Sequence, residues 1–327
     1  MQITSANLSI FFTALNTNFW TTYQTTPVVY QKIATVIPVS TEIFAAGWIG
    51  SLDIPREWLG SRETKMPGPQ TYFVPIRNFE MTQGIDKFKL EDDQQGIYSP
   101  MAMGFAKNMA KLPDYQLRDL INGIGSYTGI AQKAPDGINQ WATNHPVDVY
   151  DSSKGTYSTD FRGGFSVNGV TVGGALSMSA FSTLWQEIAA RKSENGQPMG
   201  LMARTLLHAP QLKFTADSLL QAQFLASPTV GNLAGQVGSA ENMLRGWSDP
   251  LMWGDLAAYP NRWYQLVTDL PQKPFTWLNR KSPDFVTRTS PQDPTVFNAH
   301  TYLMGSEARG SAAWGPTYLS AISGPSE

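Results

Sequence analysis

Cysteine is absent from the 327 residues, which excludes disulfides and thiolate metal sites from the outset. Charge is scarce and balanced: 15% of residues are charged, 24 basic against 26 acidic, for a formal net charge of -2. A surface that grips nucleic acid shows a basic face or tail, and no such run occurs. No apolar stretch reaches the length of a membrane span. The first basic residue is Lys32, so the start lacks the positive region of a secretory leader. The motifs that carry common chemistry are missing too. There is no GxxxxGK phosphate loop, no HExxH, no GxSxG elbow and no EF-hand loop. Gly123, Gly125 and Gly129 miss the dinucleotide spacing by one residue.

What the chain does contain begins with an uncharged, aromatic N-terminus. Leu8, Phe11, Phe12, Leu15 and Phe19 recur at helical spacing, with Ser5 or Asn7 as N-cap. Such an arm needs a surface to cover it, either its own domain or another subunit. A second unusual stretch runs from Gly47 to Tyr98. Pro67-Gly68-Pro69 is turn chemistry, so Ile54–Lys65 and Gln70–Gln83 are expected to run back along each other as a hairpin. Carrying Trp58, Tyr72, Phe73 and Phe79, it also needs a platform, because an isolated two-stranded hairpin is marginal in water.

Further on, Ser99-Pro100 predicts a helix start, with serine as cap and proline at the first helical position. One apolar face follows: Met101, Phe105, Met109 and Leu112, then Leu117, Leu120, Ile121 and Ile124. Pro113 inside it predicts a bent or two-piece rod ending near Gly123-Ile124-Gly125. Residues 126–175 read as loops and short strands, with turns at Asp136-Gly137, Lys154-Gly155 and Asn168-Gly169. Met178, Phe181, Leu184, Trp185 and Ile188 mark another helix, stopped by Asn195-Gly196 and Pro198. A helix is expected from Ala216 to Phe224, capped by Thr215. Strands are expected at Trp263–Val267 and Phe275–Leu278, and two more around a turn at Glu307-Ala308-Arg309-Gly310. The chain is α+β, without the regular rhythm of a parallel α/β fold.

Candidate chemical sites are few. His145 with Asp148 and Asp151 could build a metal or acid–base site, although histidine before proline in a loop also reads as structural. Glu91-Asp92-Asp93 suits either a hard cation or a helix start. Neither carries an activity, and no catalytic, metal or cofactor-binding residue is assigned.

The motifs of the hairpin region then take on meaning together. Gly47-Trp48-Ile49-Gly50, Arg56-Glu57-Trp58-Leu59-Gly60 with Arg62, Phe79-Glu80, Glu91-Asp92-Asp93 and Gly96-Ile97-Tyr98 resemble, in order and spacing, the major head subunit of Mu-like bacteriophages. Ala6-Asn7-Leu8 and Lys32-Ile33-Ala34-Thr35-Val36 fit the same family. So do His145-Pro146, Leu244-Arg245-Gly246, Trp263-Tyr264 and Ala308-Arg309 with Trp314-Gly315. That family is similar to the Hong Kong 97-like capsid proteins. The resemblance implies an N-terminal arm over 1–46, an extended hairpin loop over 47–86, a peripheral domain over 87–123 and 291–327 with a spine helix over 99–123, and an axial domain over 124–290.

It further implies a structural protein, not an enzyme, that builds hexamers and pentamers of itself into an icosahedral head around double-stranded DNA. Its partners would be a portal, a scaffold or protease and a decoration protein, with no membrane, no cofactor and no sequence-specific contact to the genome. Arg56, Glu57, Trp58, Arg62 and Lys65 are the expected contacts of the loop with a neighbour, and Phe11, Phe12, Leu15 and Phe19 are the residues by which the arm is expected to pack. Lys65 is the only lysine between Lys32 and Lys87 and is the candidate for a covalent cross-link, non-covalent assembly being the favoured reading. Two alternatives remain at this point: a compartment shell like the encapsulins, enclosing protein cargo, and an enzyme with an unrecognised site in 124–290.

Overall fold

In the computed structural model, residues 4–47, 71–92, 96–123, 133–167, 169–227, 238–290 and 293–326 are described. The arm forms a helix over Ser5–Thr25, and Thr4, rather than Ser5 or Asn7, is its cap: the Thr4 hydroxyl accepts the Asn7 N–H at 3.2 Å. Threonine is an indifferent helix former, but here its hydroxyls find partners one turn back. Thr13 donates to the Ser9 carbonyl at 2.8 Å and Thr17 to the Thr13 carbonyl at 3.0 Å. The solvent face of the arm is therefore polar without being charged.

The spine is in two pieces, Tyr98–Ala110 and Leu112–Asn122, as Pro113 predicts. Pro113 stands in the first turn of the second piece, where its missing N–H costs nothing. Gly123 closes the rod in the left-handed conformation, φ 61°. The first piece starts two residues before the expected first position, Pro100. Ser99 is thus inside the helix, and its hydroxyl accepts the Asn18 amide at 2.7 Å, which ties spine to arm.

Two five-stranded mixed sheets form the body. In the first, Thr301–Trp314 is central. It pairs antiparallel with Arg77–Asp86 on one side, and with Phe275–Lys281 and Val286–Arg288 on the other; Ala34–Pro38 adds in parallel beside Phe275–Lys281. The turn expected at Glu307–Gly310 does not form, because that segment lies mid-strand with partners on both edges. Gly310 is there for close approach: a Cβ on it would stand 2.5 Å from the Trp277 ring. The chain turns instead at Gly315-Pro316 and returns as Ser320–Gly324.

The second sheet runs in the order Asp249–Met252, Thr205–His208, Trp263–Leu266, Ser320–Gly324, Asp160–Arg162. Both its faces are covered, so Trp263–Leu266 is buried throughout. Leu207, Tyr264 and Ile322 face the second spine helix through Leu117 and Ile121. Leu206, Trp263 and Ala321 face the helix Met178–Ala189 through Phe181, Leu184 and Ile188. The helix expected over Ala216–Phe224 is found over Lys213–Leu220, and Phe224 opens a strand. The turns at Gly137 and Gly155 hold, with φ 82° and 84°. Gly169, φ 82°, closes the hairpin of Phe165–Val167 and Val170–Val172, Asn168 itself lying outside the described residues.

Asp114 pins the two halves of the fold together. Its buried carboxylate accepts the Tyr30 N–H at 2.7 Å and the Val29 N–H at 3.1 Å, from the chain leaving the arm. Burial raises its carboxyl above the ordinary range, and the two backbone hydrogen bonds only partly offset this. The sign follows: an acid whose folded value is raised opposes folding when ionised, and that penalty disappears as pH falls through the folded value. Asp114→Ala is expected to cost about 1–3 kcal/mol by orphaning two amides. Asp114→Asn keeps an acceptor and drops the buried charge, so denaturant titrations should show a smaller loss and no stability gain from this site on acidification.

Candidate functional site

The base of the loop is a two-stranded antiparallel ribbon, Ile43–Gly47 against Thr71–Pro75. The expected hairpin partner of Gln70–Gln83 is thus corrected. Residues 71–75 pair with 43–47, and from Arg77 onward the chain joins the body sheet through Thr301–Gly310. The run Ile43-Phe44-Ala45-Ala46 was the available signal, masked because it alternates only weakly. Residues 54–65 lie outside the described residues, as do Arg56, Glu57, Trp58, Arg62 and Lys65.

Strand alternation gives the ribbon two faces. Phe44, Tyr72 and Val74 face the body, where Val74 and Ile76 are buried on Leu278 and Ala313. The Trp314 N–H donates to the Tyr72 hydroxyl at 3.2 Å, fixing the ribbon to the last turn of the long strand. Burial pushes that hydroxyl up to about 12, so it stays a neutral phenol. Ile43, Ala45, Phe73 and Pro75 make the other face. All four are exposed, Ile43 at 55% and Phe73 at 60%. An apolar strip presented to solvent on a projecting ribbon is the chemistry of a contact surface.

The arm helix, by contrast, is covered by its own chain. Leu8, Phe12 and Leu15 are buried with Tyr98, Ala102, Tyr302 and Met304, and Phe11 packs edge-on to Tyr98. Phe19 is fully buried among Trp20, Tyr23, Phe105 and Phe285. Of the two readings of the arm, own domain or another subunit, these side chains take the first. Exposed apolar residues on the arm itself are few, Ile10 being the prominent one.

The charged candidates do not converge. His145 is fully buried and bonded to Asp136, Nδ1 to Oδ2 at 2.5 Å, while Nε2 reaches the Gln140 carbonyl at 3.1 Å. Asp148 instead accepts the Tyr150 N–H, and Asp151 accepts from Ser153, whose hydroxyl and amide hold that carboxyl below its ordinary value. His145, Asp148 and Asp151 are three separate structural devices. Asp136 was read only as a turn residue, since nothing local announces its histidine partner. Glu91 ends the short helix Lys87–Glu91, which Asp86 caps, and Asp92 follows as its C-cap, so neither starts a helix; Asp93 lies outside the described residues. Among the described residues no group of three or more His, Asp or Glu is gathered to hold a metal, and no helix is long and apolar enough to cross a membrane.

A further buried group escaped sequence reading. Arg191 follows the helix Met178–Ala189 and resembles an ordinary basic C-terminus. Its guanidinium is instead buried, donating to the carbonyls of Tyr318 at 2.7 Å, Ser320 at 3.1 Å and Ser158 at 2.7 Å, and lying over the Tyr157 ring. Burial brings it down to about 10.

With this geometry in place, the similarities to known proteins are specific. Over 158 residues the chain is 31% identical to the major capsid protein of Escherichia phage Mu, covering 48% of this chain and 50% of that protein. Over 148 residues it is 26% identical to the Mu-like prophage FluMu major head subunit of Haemophilus influenzae, covering 45% of this chain and 46% of that protein. The chain thus spans about half the length of the curated relatives it matches. In three dimensions it superposes on the procapsid subunit of bacteriophage JBD30 with a TM-score of 0.58, at 22% identity, over 99% of this chain and 77% of that one. The fold is that of the Hong Kong 97-like capsid subunits. The family of the Mu-like prophage major head subunit gpT matches residues 8–166 and 254–323, well over half of the sequence. By that match the chain belongs to the Mu-like prophage major head subunit gpT family.

Proposed function

We propose that this chain is a major capsid protein, whose copies assemble into the hexamers and pentamers of an icosahedral head around a double-stranded DNA genome. The observation that carries the proposal is the ribbon, docked on one face and apolar and open on the other, at the root of the segment richest in family motifs. Among the described residues of one subunit nothing covers the strip of Ile43, Ala45, Phe73 and Pro75; in a shell a neighbouring copy does. Heterologous contacts that close generate rings, and many modest interfaces sum to a stable particle through effective concentration. The division into arm 1–46, loop 47–86, peripheral domain 87–123 with 291–327, and axial domain 124–290 belongs to this reading. So do the contacts assigned to Arg56, Glu57, Trp58, Arg62 and Lys65. A portal, a scaffold or protease and, as an optional addition, a decoration protein are the partners this reading proposes, and the virion is where the protein resides. No catalytic role is assigned. The balanced charge suits a container wall that confines DNA without gripping it. The relatives matched in sequence are phage head subunits, and no observation favours the compartment-shell alternative.

The test is removal of the loop without its root. The deletion must stop short of Thr71, because Tyr72, Val74 and Ile76 belong to the core. Replacing residues 50–68 by a short Gly-Ser turn is expected to leave circular dichroism and the thermal transition nearly unchanged. Sedimenting particles should disappear. Particles as abundant and robust as those of the full chain would overturn the proposal.

A further inference from the structure

Beneath the ribbon lies a cavity of about 210 Å³ between its inner face, the strand Ala34–Pro38 and the end of the long strand. Phe44, Ala46 and Tyr72 form its roof, and Ile37, Trp314 and Tyr318 line it from below. It is larger than the roughly 150 Å³ apolar cavity that stays dry and takes up benzene in an engineered protein. The geometry points to a binding site for a small, uncharged aromatic molecule carrying one hydrogen-bond acceptor.

Three features select that class. The walls include four aromatic side chains, Phe44, Tyr72, Trp314 and Tyr318, and such a lining suits an aromatic guest. Among the described residues no carboxylate or guanidinium lines the space. The charged lining residue among the described ones, Lys273, is a cation whose ammonium bonds the Gln31 carbonyl, so a cationic guest would find no counter-ion. The polar fixture is the Tyr72 hydroxyl. Its oxygen accepts the Trp314 N–H, and its own proton has no acceptor among the described residues. A ketone or ether oxygen on the guest supplies that acceptor. A guest seated there wedges between ribbon and body, and so sets the angle at which the loop leaves the subunit. That consequence for shell building rests on the proposed function; the binding itself does not.

The measurement is ligand-observed saturation-transfer NMR on the full chain, with acetophenone and its acceptor-free counterpart ethylbenzene. For guests of this size saturable binding of acetophenone is expected at about 0.1–1 mM. Tyr72→Phe removes the hydroxyl, and with it both the donor to the guest and the acceptor of the Trp314 N–H; it is expected to weaken acetophenone about tenfold, and ethylbenzene, which reports any change in the cavity itself, much less. Ala46→Phe fills the cavity and should abolish both. If Ala46→Phe does not fold, the Tyr72→Phe comparison still decides. Absence of saturable binding to the unsubstituted chain overturns the assignment, and so does an equal response of both guests to Tyr72→Phe. Particle formation is scored separately on the same samples: unaltered assembly by a subunit that binds no guest leaves the capsid reading intact, and guest binding by a chain that never assembles removes that reading alone.

Discussion

Phe19→Ala is expected to lower the free energy of unfolding by about 3–5 kcal/mol, the range for removing a large aromatic from a close-packed core. Phe19 has no solvent exposure. Its ring lies 4.9 Å from that of Phe285, 5.3 Å from Trp20 and 6.0 Å from Phe105, centre to centre. The arm helix has no charged side chain on which to rely, so its attachment rests on this aromatic knot, on Leu8, Phe12 and Leu15, and on the bond from Asn18 to Ser99. Loss of the knot should therefore show first in the arm, as faster amide exchange over Ser5–Thr25 than over the body sheets. Ile10→Ala, on the exposed side of the same helix, should stay within about 0.5 kcal/mol of the parent. Equal costs for the two substitutions in denaturant titrations would refute the packing of the arm on its own chain.

The second large effect is at Arg191. Arg191→Met keeps the bulk of the stem but strands the carbonyls of Ser158, Tyr318 and Ser320, and a loss of about 3–5 kcal/mol is expected. Arg191→Lys preserves the charge yet should recover little. The three acceptors lie in different directions around a planar fork, and one ammonium cannot serve them all. Full rescue by lysine would show that charge, not hydrogen-bond geometry, is what the site needs. These bonds join the end of the helix Met178–Ala189 to the returning C-terminal strand. The consequence should accordingly be global unfolding rather than local fraying.

Both sites show how far local sequence reaches. Phe19 was legible because helical spacing is a local property: positions three and four apart fall on one face whatever the rest of the chain does. The proline break in the spine, the left-handed Gly123 stop and the buried strand Trp263–Leu266 were legible for the same reason. Arg191 was not, since a basic residue after a helix has the same local pattern whether it meets water or three carbonyls, two of them over a hundred residues away. Asp136 and His145 repeat the lesson across nine residues. Glu307–Gly310 repeats it in reverse: charge and glycine spelled a turn, but strands on both edges and the Trp277 ring held the segment straight.

By itself, then, the sequence determined the arm helix, the two-piece spine and the helix Met178–Ala189, the α+β class and, through motifs collinear with the Mu-like head subunits, the family. Those follow from periodicity, from backbone-restricted residues and from order along the chain. The tertiary structure alone decided which strand pairs with Thr71–Pro75. It also decided that the arm is spent on its own domain, and that one face of the ribbon is left apolar and open. Strand partners are chosen by contacts distant in sequence, and exposure exists only once the rest of the chain has taken its place.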